Sequence, residues 1–402
     1  MQHSEDSSPE VAAGNKPVKS RGFHCRCGEP VFFRNSRCVS CNSPLAYAPH
    51  LHKIVTLEPA GTGNLWRVAD DSGEAGETLF ERCANLFSPA ACNWIMEAPK
   101  DGASQQSLCQ CCRLDRTIPD LSITANREAY HRISIAKRRL VASLFMLGLP
   151  VASRLTEDRD NGLAFDFLRS PAEVPRVLTG YENGIITLNI EEAEDSRREQ
   201  IRREMGESYR TLLGHLRHEA GHYYWDRLIA RSTWIDDFRD LFGDERVDYA
   251  AALKTHYLQG PALGWQERYV TPYAGVHPWE DWAETWAHYL HMMDTIDCAF
   301  HLGLDPDVAI ELEVEPFGSD ALFRPQDPEG QHFLHFIESW TRLTAALNEL
   351  SRAMGYNDFY PFVLSRSTVA KLHFVHLVVG EAGGGAQSNL SPAAELVGGC
   401  RN

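Results

Sequence analysis

Apolar residues recur at intervals of three and four along most of the chain after residue 125, which is the period of an amphipathic helix. Gly148 and then Pro150 end the first of these runs, as glycine and proline commonly do after a helix. The second run starts at Ser196 and predicts one long helix. The predicted helices cover residues 126–147, about 196–229, about 236–259, about 279–299 and about 329–354.

A short β region separates the first two predicted helices. Two runs rich in β-branched residues, 177–181 and 185–190, flank the pair Asn183-Gly184, and this dipeptide is a strong hairpin signal. We expect the run 185–190 to lie at the edge of its sheet, where an extended peptide can add as a further strand. The predicted fold class is α+β, with a mostly helical main domain and a small β-sheet.

Composition divides the chain further. Residues 1–20 and 381–402 are rich in Ser, Gly, Pro or charge, which predicts a disordered leader and a flexible tail. Between them we place a cysteine-rich module at residues 21–120 and the main domain at residues 121–380. A chain of 402 residues is long enough for one large domain and a smaller module.

Charge and hydropathy restrict the partners. The chain has 55 acidic and 39 basic side chains, and its net charge of −16 would repel a phosphate backbone. Nucleic-acid binding is therefore disfavoured. The chain has no run of about 18 uncharged apolar residues, and its start lacks the apolar core of a signal peptide. We therefore expect a cytoplasmic protein with no membrane partner.

Nine of the eleven cysteines lie between residues 25 and 112. In a chain without a secretory signal, such clusters are more typical of metal ligands than of disulfides. The first predicted structural zinc site consists of two close pairs, as in a zinc ribbon: Cys25, Cys27, Cys38 and Cys41. The second consists of Cys83, Cys92, Cys109 and Cys112, with Cys111 as the alternative to Cys112. The module is either structural or a docking surface for a protein partner or substrate.

The segment His218-Glu219-Ala220-Gly221-His222 carries the candidate chemistry. Histidines four residues apart lie on one face of a helix, so both imidazoles can reach one zinc ion, and Glu219 lies beside that face. Gly221 in a helix interior costs roughly 1 kcal/mol, which predicts a close packing contact there. His215 and Asp226 lie about one turn to either side of the motif. We interpret both as ordinary polar helix positions, with a supporting role at the metal as the alternative.

A catalytic zinc ion needs a third protein ligand and one open position. The helix predicted after Pro278 offers Glu280 and Glu284 at four-residue spacing, and each can supply a carboxylate oxygen. The residues alone leave both candidates open. They also leave open that these carboxylates only complement the helix dipole.

His218 to His222, together with the pattern Glu280-x-x-Ala283-Glu284-x-Trp286, resembles the gluzincin metallopeptidases. Residues 21–380 as a whole resemble the bacterial family of zinc-binding metallopeptidases that carry an N-terminal zinc ribbon. The resemblance implies one catalytic zinc ion and one or two structural zinc ions. The implied site has His218, His222 and Glu280 as zinc ligands, Glu219 as general base, Glu284 as an acceptor for a liganding imidazole, and Tyr273 as oxyanion donor with Tyr269 as its alternative.

The functional prediction is a zinc-dependent peptidase that acts on a protein or peptide. One alternative is a catalytically silent, zinc-stabilised protein that binds partners through the cysteine module. A second is a nucleic-acid-associated protease guided by Arg21, Arg26, Arg34 and Arg37. The presence of Glu219 favours the enzyme, because a purely structural site has no use for a base beside the metal.

Overall fold

The computed structural model describes residues 23–61, 63–69, 78–99, 107–170, 177–204 and 210–384. The predicted leader lies outside the described residues, and so does the predicted tail from residue 385 onward. The helix that precedes the tail continues to Ala382, two residues beyond the predicted end of the main domain.

Short β-strands form the cysteine-rich part of the chain. They are β1 (Phe23–His24), β2 (Pro30–Val31), β3 (Leu45–Ala48), β4 (Lys53–Pro59), β5 (Leu65–Ala69), β6 (Phe80–Arg82) and β7 (Ile95–Glu97). β1 pairs with β2, and β3 to β7 form a five-stranded antiparallel sheet in sequence order. Cys25 and Cys27 lie in the turn between β1 and β2.

Helices and a four-stranded sheet form the main part of the chain. The strands are β8 (Asp115–Thr117), β9 (Ala164–Leu168), β10 (Gly180–Glu182) and β11 (Ile185–Asn189). The helices are α1 (Thr124–Met146), α2 (Asp195–Glu204), α3 (Leu212–Leu228), α4 (Ile235–Phe242), α5 (Tyr249–Gln259), α6 (Pro278–His301), α7 (Pro306–Ala309), α8 (Gly330–Ala353) and α9 (Arg366–Ala382). The predicted α+β fold, mostly helical with a small sheet behind a cysteine-rich β module, is confirmed.

The Asn-Gly pair forms the hairpin turn between β10 and β11, as predicted. Asn183 and Gly184 adopt positive φ angles of 48° and 81°, the combination that two-residue hairpin turns favour. The expectation that β11 lies at the sheet edge is wrong. β9, from a distant part of the chain, pairs in parallel with β11. The strand order among the described residues is therefore β10-β11-β9-β8, with β10 at one edge and β8 at the other.

Two of the predicted long helices are each divided in two. The predicted helix 196–229 is wrong at its centre, because Thr211 has an extended backbone and its Oγ1 accepts a hydrogen bond from the Gly214 amide at 2.9 Å. This side-chain cap starts α3 as a separate helix. The predicted helix 236–259 is also interrupted: α4 ends at Gly243, where φ is 107°, and Asp248 caps α5.

The packing of α3 against α6 forms the centre of the main domain. Gly221 permits the close approach, since a Cβ atom at this position would lie 2.9 Å from the Cα of Ala283. The indole Nε1 of Trp282 donates a hydrogen bond to the Gly221 carbonyl oxygen at 2.8 Å, and Trp286 is buried nearby. The predicted close contact at Gly221 is confirmed.

One hydrophobic core extends from the cysteine-rich part into the helices. At the junction, the Trp94 ring before β7 lies 6.0 Å from the Phe145 ring of α1, measured between centroids. Within the described residues, every helix is too short or too polar to cross a membrane.

Candidate active site

Three buried side chains from two helices converge at one point. α3 supplies His218 and His222, and the first turn of α6 supplies Glu280. Glu280 Oε2 is 3.0 Å from His218 Nε2 and 3.5 Å from His222 Nε2. The structure therefore brings together the three residues that the sequence proposes as zinc ligands, with one ligand atom of each within 4.8 Å of the others.

This set of donors fits a tetrahedral zinc ion. Zinc bonds of about 2.0–2.2 Å to imidazole nitrogen and carboxylate oxygen place the ligand atoms about 3.4 Å apart. Among the described residues, the buried Glu280 Oε2 has no partner with hydrogen-bond geometry, despite the short distances to both imidazoles. A buried carboxylate oxygen without a hydrogen bond is unfavourable, and a cation shared with the imidazoles compensates it. Three protein ligands leave a fourth position open.

Glu284 contacts the opposite nitrogen of the His218 ring. Its Oε1 is 2.6 Å from His218 Nδ1, and its Oε2 accepts a hydrogen bond from Thr271 Oγ1 at 2.7 Å. A carboxylate at Nδ1 fixes the ring and leaves Nε2 for a metal. The residue pattern leaves Glu280 and Glu284 as alternatives for the third ligand. In the structure, Glu280 lies near the Nε2 atoms of both histidines, whereas Glu284 contacts Nδ1 on the opposite side of the His218 ring.

Aromatic packing orients His222. Its ring centroid is 3.8 Å from that of Trp279, with the planes inclined by 34°, and 6.3 Å from that of Tyr181. Its Nδ1 is buried without a hydrogen-bond partner in the part of the chain that the structure describes. The two histidines are therefore held differently: His218 by a carboxylate and His222 by neighbouring rings.

A tyrosine that the sequence did not reveal holds the third candidate ligand. Tyr249, the first residue of α5, donates a hydrogen bond to Glu280 Oε1 at 2.6 Å. This contact uses Oε1 of Glu280, and Oε2 faces the two imidazoles. No motif points to Tyr249, because it lies 31 residues before Glu280 on a different helix.

The candidate base is buried beside the two imidazoles. His215 Nε2 lies 3.3 Å from Glu219 Oε1, and His215 Nδ1 lies 2.8 Å from Glu192 Oε2. Burial raises the pKa of Glu219, but the hydrogen bond from His215 and the charges of the imidazoles outweigh burial and lower this pKa below its ordinary value. Glu219 is therefore a carboxylate at neutral pH, as a general base must be.

The two polar residues that flank the motif both make specific contacts. Burial lowers the pKa of His215, but the charge of Glu192 and its hydrogen bond raise it to about 9. The interpretation of His215 as an ordinary helix position is wrong, because it contacts the candidate base. Asp226 accepts a hydrogen bond from the Tyr181 hydroxyl at 2.5 Å, which joins β10 to α3.

Of the two tyrosines proposed as oxyanion donor, Tyr273 lies at the site. Its ring centroid is 6.1 Å from that of His218, and it lines the same cavity. Burial, followed by the charge of Glu280, raises the pKa of Tyr273, so its hydroxyl keeps the proton that it would donate. The Tyr269 ring packs instead against Lys371, whose Nζ is 4.6 Å from the ring centroid. The geometry favours Tyr273.

One cavity of about 620 Å³ is lined by the three candidate ligands and by Glu219 and Tyr273. Its walls include α3, part of α5 and the segment 177–181 that leads into β10. The wall is apolar at Leu178 and Leu253, whereas Glu219 and Glu280 contribute carboxylates near the metal ligands. A cavity of this size is large enough for several residues of a bound peptide.

The first group of four cysteines also fits zinc. Cys25 Sγ is 3.5 Å from Cys41 Sγ, and Cys27 Sγ is 3.7 Å from Cys38 Sγ. Tetrahedral zinc–sulfur bonds of about 2.3 Å separate the sulfur atoms by about 3.8 Å. Two of these cysteines are buried and two are exposed, so the site lies at the surface of the module.

The second group of cysteines is entirely buried. It consists of Cys83, Cys92, Cys109 and Cys112. Cys92 Sγ lies 3.6 Å from Cys109 Sγ. Burial raises the pKa of both thiols, so a metal cation is needed to hold them as thiolates. Cys111 is buried too but lies outside this group, and the structure therefore places Cys112 rather than Cys111 in the fourth position.

Comparison with known proteins confirms the resemblance. Residues 126–378 match a family model described as "Putative zinc-binding metallo-peptidase", and residues 22–123 match the model of a zinc-ribbon domain. Three relatives are each 43% identical over 363 residues, which cover 90% of this chain and 96% of theirs: the uncharacterized proteins Mb2598c of Mycobacterium bovis and MT2644 and Rv2568c of Mycobacterium tuberculosis. No solved structure matches the chain. The chain belongs to the family of zinc-binding metallo-peptidases, and a zinc-ribbon domain precedes its metallo-peptidase region.

Proposed function

We propose that the protein is a zinc-dependent peptidase that hydrolyses peptide bonds in a protein or peptide substrate. The observation that carries this proposal is the convergence of His218, His222 and Glu280 beside Glu219 in one cavity. A structural zinc site is closed by four protein ligands, whereas a catalytic site has three and keeps one position open. The three ligands and the carboxylate next to them support the catalytic kind of site.

The chain's own residues supply the proton transfers of hydrolysis. His218, His222 and Glu280 would hold the ion, and zinc, when bound, lowers the pKa of water towards 7 and polarises a carbonyl group. Glu219 takes a proton from the attacking water and later gives it to the leaving amine, so that the peptide C–N bond breaks and an acid and an amine form. The lowered pKa of Glu219 supports this role, because the carboxylate is ionised before the reaction begins.

Tyr273 is the proposed donor to the oxyanion that forms when water adds to the scissile carbonyl. Its hydroxyl is protonated, because burial raises the pKa of Tyr273, and it can therefore donate a hydrogen bond. A well-placed donor of this kind typically contributes about 3 kcal/mol to transition-state stabilisation.

We propose that the substrate backbone binds along β10 rather than β11. β10 is one of the two edge strands of its sheet in the described part of the chain, and residues 177–181, at its start, line the cavity. An edge strand offers unpaired backbone groups to an extended peptide. The ring of Tyr181 in β10, 6.3 Å from that of His222, would place this peptide next to the metal ligands.

The two groups of four cysteines are proposed as structural zinc sites. Residues 21–120 would then be a module whose folding depends on metal, in front of a catalytic domain at residues 121–380. A protein partner at this module stays a prediction.

The variant Glu219→Gln tests the proposed function. Glu219 is not among the three ligands, so the variant and the wild type should bind the same amount of zinc. Cleavage of a proteome-derived peptide library should fall by at least about 100-fold in the variant, which is the usual contribution of a general base. Glu349→Gln is a matched control, since Glu349 is an exposed residue near the end of α8.

Two outcomes would contradict the proposal. Equal cleavage by wild type and Glu219→Gln would remove Glu219 as the base. Absence of cleavage by the zinc-loaded wild type, at any pH between about 5 and 9, would favour a zinc-stabilised binding protein instead.

A further inference from the structure

A line of three side chains leads from the cavity wall to the candidate base. Glu192 Oε2 is 2.8 Å from His215 Nδ1, and His215 Nε2 is 3.3 Å from Glu219 Oε1. The two contacts use different nitrogens of the same ring, so the imidazole bridges two carboxylates. Both carboxylates are buried, and only 16% of the His215 side chain is exposed. Buried charged groups add little net stability to a fold, so this arrangement calls for another explanation.

Glu192 is itself fixed from outside α3. It lies in the short turn after β11. Thr179, which precedes β10, donates from Oγ1 to Glu192 Oε1 at 2.6 Å, and Arg210 donates to Glu192 Oε2 at 3.0 Å. His215 and Glu219, in contrast, both lie on α3. His215 thus connects Glu219 to a carboxylate that the sheet region anchors.

We propose that His215 and Glu192 are positioning residues for Glu219, which fix one oxygen of the base so that the other faces the attacking water. The inference rests on the proposed peptidase function. During hydrolysis, Glu219 would accept the proton of water on Oε2 and return it to the leaving amine, while Oε1 keeps its 3.3 Å contact with His215 Nε2. A glutamate carboxylate rotates easily about its last torsion, because this torsion has only broad minima. A charged contact to one oxygen restricts that freedom, and correct orientation of a reacting group contributes strongly to rate.

Three variants separate positioning from general support of the fold. His215→Leu removes both contacts, His215→Gln keeps a hydrogen-bond donor on a side chain of similar reach, and Glu192→Gln removes the anchoring charge. His332→Leu is the matched control, since His332 lies on α8 with 42% of its side chain exposed. For each full-length protein, zinc content is measured, and kcat and KM are measured on a peptide that the wild type cleaves.

The inference predicts a selective loss of kcat. In His215→Leu, kcat should fall on the order of 10- to 100-fold, because misplacing a reacting group by about 1 Å can cost on the order of 100-fold in rate. KM should stay within about twofold, because ground-state binding of the substrate is unchanged. Zinc content should equal that of the wild type. His215→Gln should recover most of the lost rate, and Glu192→Gln should show an intermediate loss.

Two results would overturn the inference: a kcat in His215→Leu equal to that of the wild type, or a loss of kcat that is matched by a loss of zinc. If the wild type cleaves no peptide, the proposed function fails, and the crystal structure of zinc-loaded His215→Leu then decides the inference separately. A Glu219 carboxylate that has rotated away from its wild-type position supports positioning by His215. A carboxylate that has not moved overturns it.

Discussion

Replacing Tyr249 by phenylalanine removes a single oxygen atom from the candidate metal site. The Tyr249 hydroxyl donates to Glu280 Oε1 at 2.6 Å, while Oε2 of the same carboxylate faces His218 and His222. The ring of Tyr249 packs 6.1 Å from that of Trp279, and phenylalanine keeps this contact. Tyr249→Phe should therefore weaken zinc binding without disturbing the ligands' own helices.

The size of the effect follows from the chemistry of this hydrogen bond. A hydrogen bond to a charged group contributes about 1.5–3 kcal/mol, which is a factor of about 10–150 in a dissociation constant. Only 2% of Glu280 is exposed, so water has little access to replace the lost hydroxyl. Loss of an outer-sphere partner typically lowers metal affinity 10- to 100-fold. We expect the zinc Kd of this site to rise by about that factor.

The assay is a zinc titration against a chelator of known affinity, at fixed pH. Glu280→Ala, titrated in parallel, gives the zinc signal of the two groups of four cysteines alone. Tyr257→Phe is the matched control, because it removes a hydroxyl from the same helix and cavity but leaves the bond between Tyr249 and Glu280 intact. A Tyr249→Phe protein with the wild-type zinc Kd would contradict this prediction, because Glu280 would then bind zinc equally well without the Tyr249 hydroxyl.

Three further changes test other parts of the structure. Gly221→Ala places a Cβ atom 2.9 Å from the Cα of Ala283. The free energy of unfolding, measured by urea denaturation, should fall by about 1–2 kcal/mol, because the cost of overpacking exceeds the gain in helix propensity. Equal or greater stability would contradict the close contact. Lys137→Met leaves Asp115 buried without its ion pair and should lower the free energy of unfolding by about 3–5 kcal/mol. Adding Asp115→Leu should recover part of this loss. A double variant no more stable than Lys137→Met alone would contradict the pairing. Cys92→Ser should remove one zinc ion per chain and make the cysteine-rich part sensitive to trypsin. A zinc content equal to that of the wild type would contradict a zinc site at the second group of four cysteines.

The metal ligands could be predicted because each lies in a local pattern. His218 and His222 are one helical turn apart on a periodic segment, and Glu280 follows a proline that starts a helix. Such information is contained in a few neighbouring residues. The same is true of the cysteine pairs and of the hairpin at Asn183 and Gly184, where residue type dictates backbone conformation.

The contacts that support the ligands could not be predicted, because they join distant parts of the chain. Tyr249 reaches Glu280 only because α5 folds over the start of α6, and nothing in the spacing of the sequence encodes that approach. β11 lies inside its sheet because β9 pairs with it in parallel, and strand order of this kind depends on tertiary packing. The break before α3 was missed for another reason: apolar spacing continues past Thr211, but its side chain caps a new helix.

A crystal structure of the zinc-loaded protein, with anomalous diffraction data collected at the zinc absorption edge, would locate each metal ion directly. We expect three zinc peaks per chain. One lies within bonding distance of His218 Nε2, His222 Nε2 and Glu280 Oε2, and each group of four cysteines holds another. A map with no zinc peak between the two histidines, or with that zinc out of bonding reach of Glu280, would rule out the proposed catalytic site.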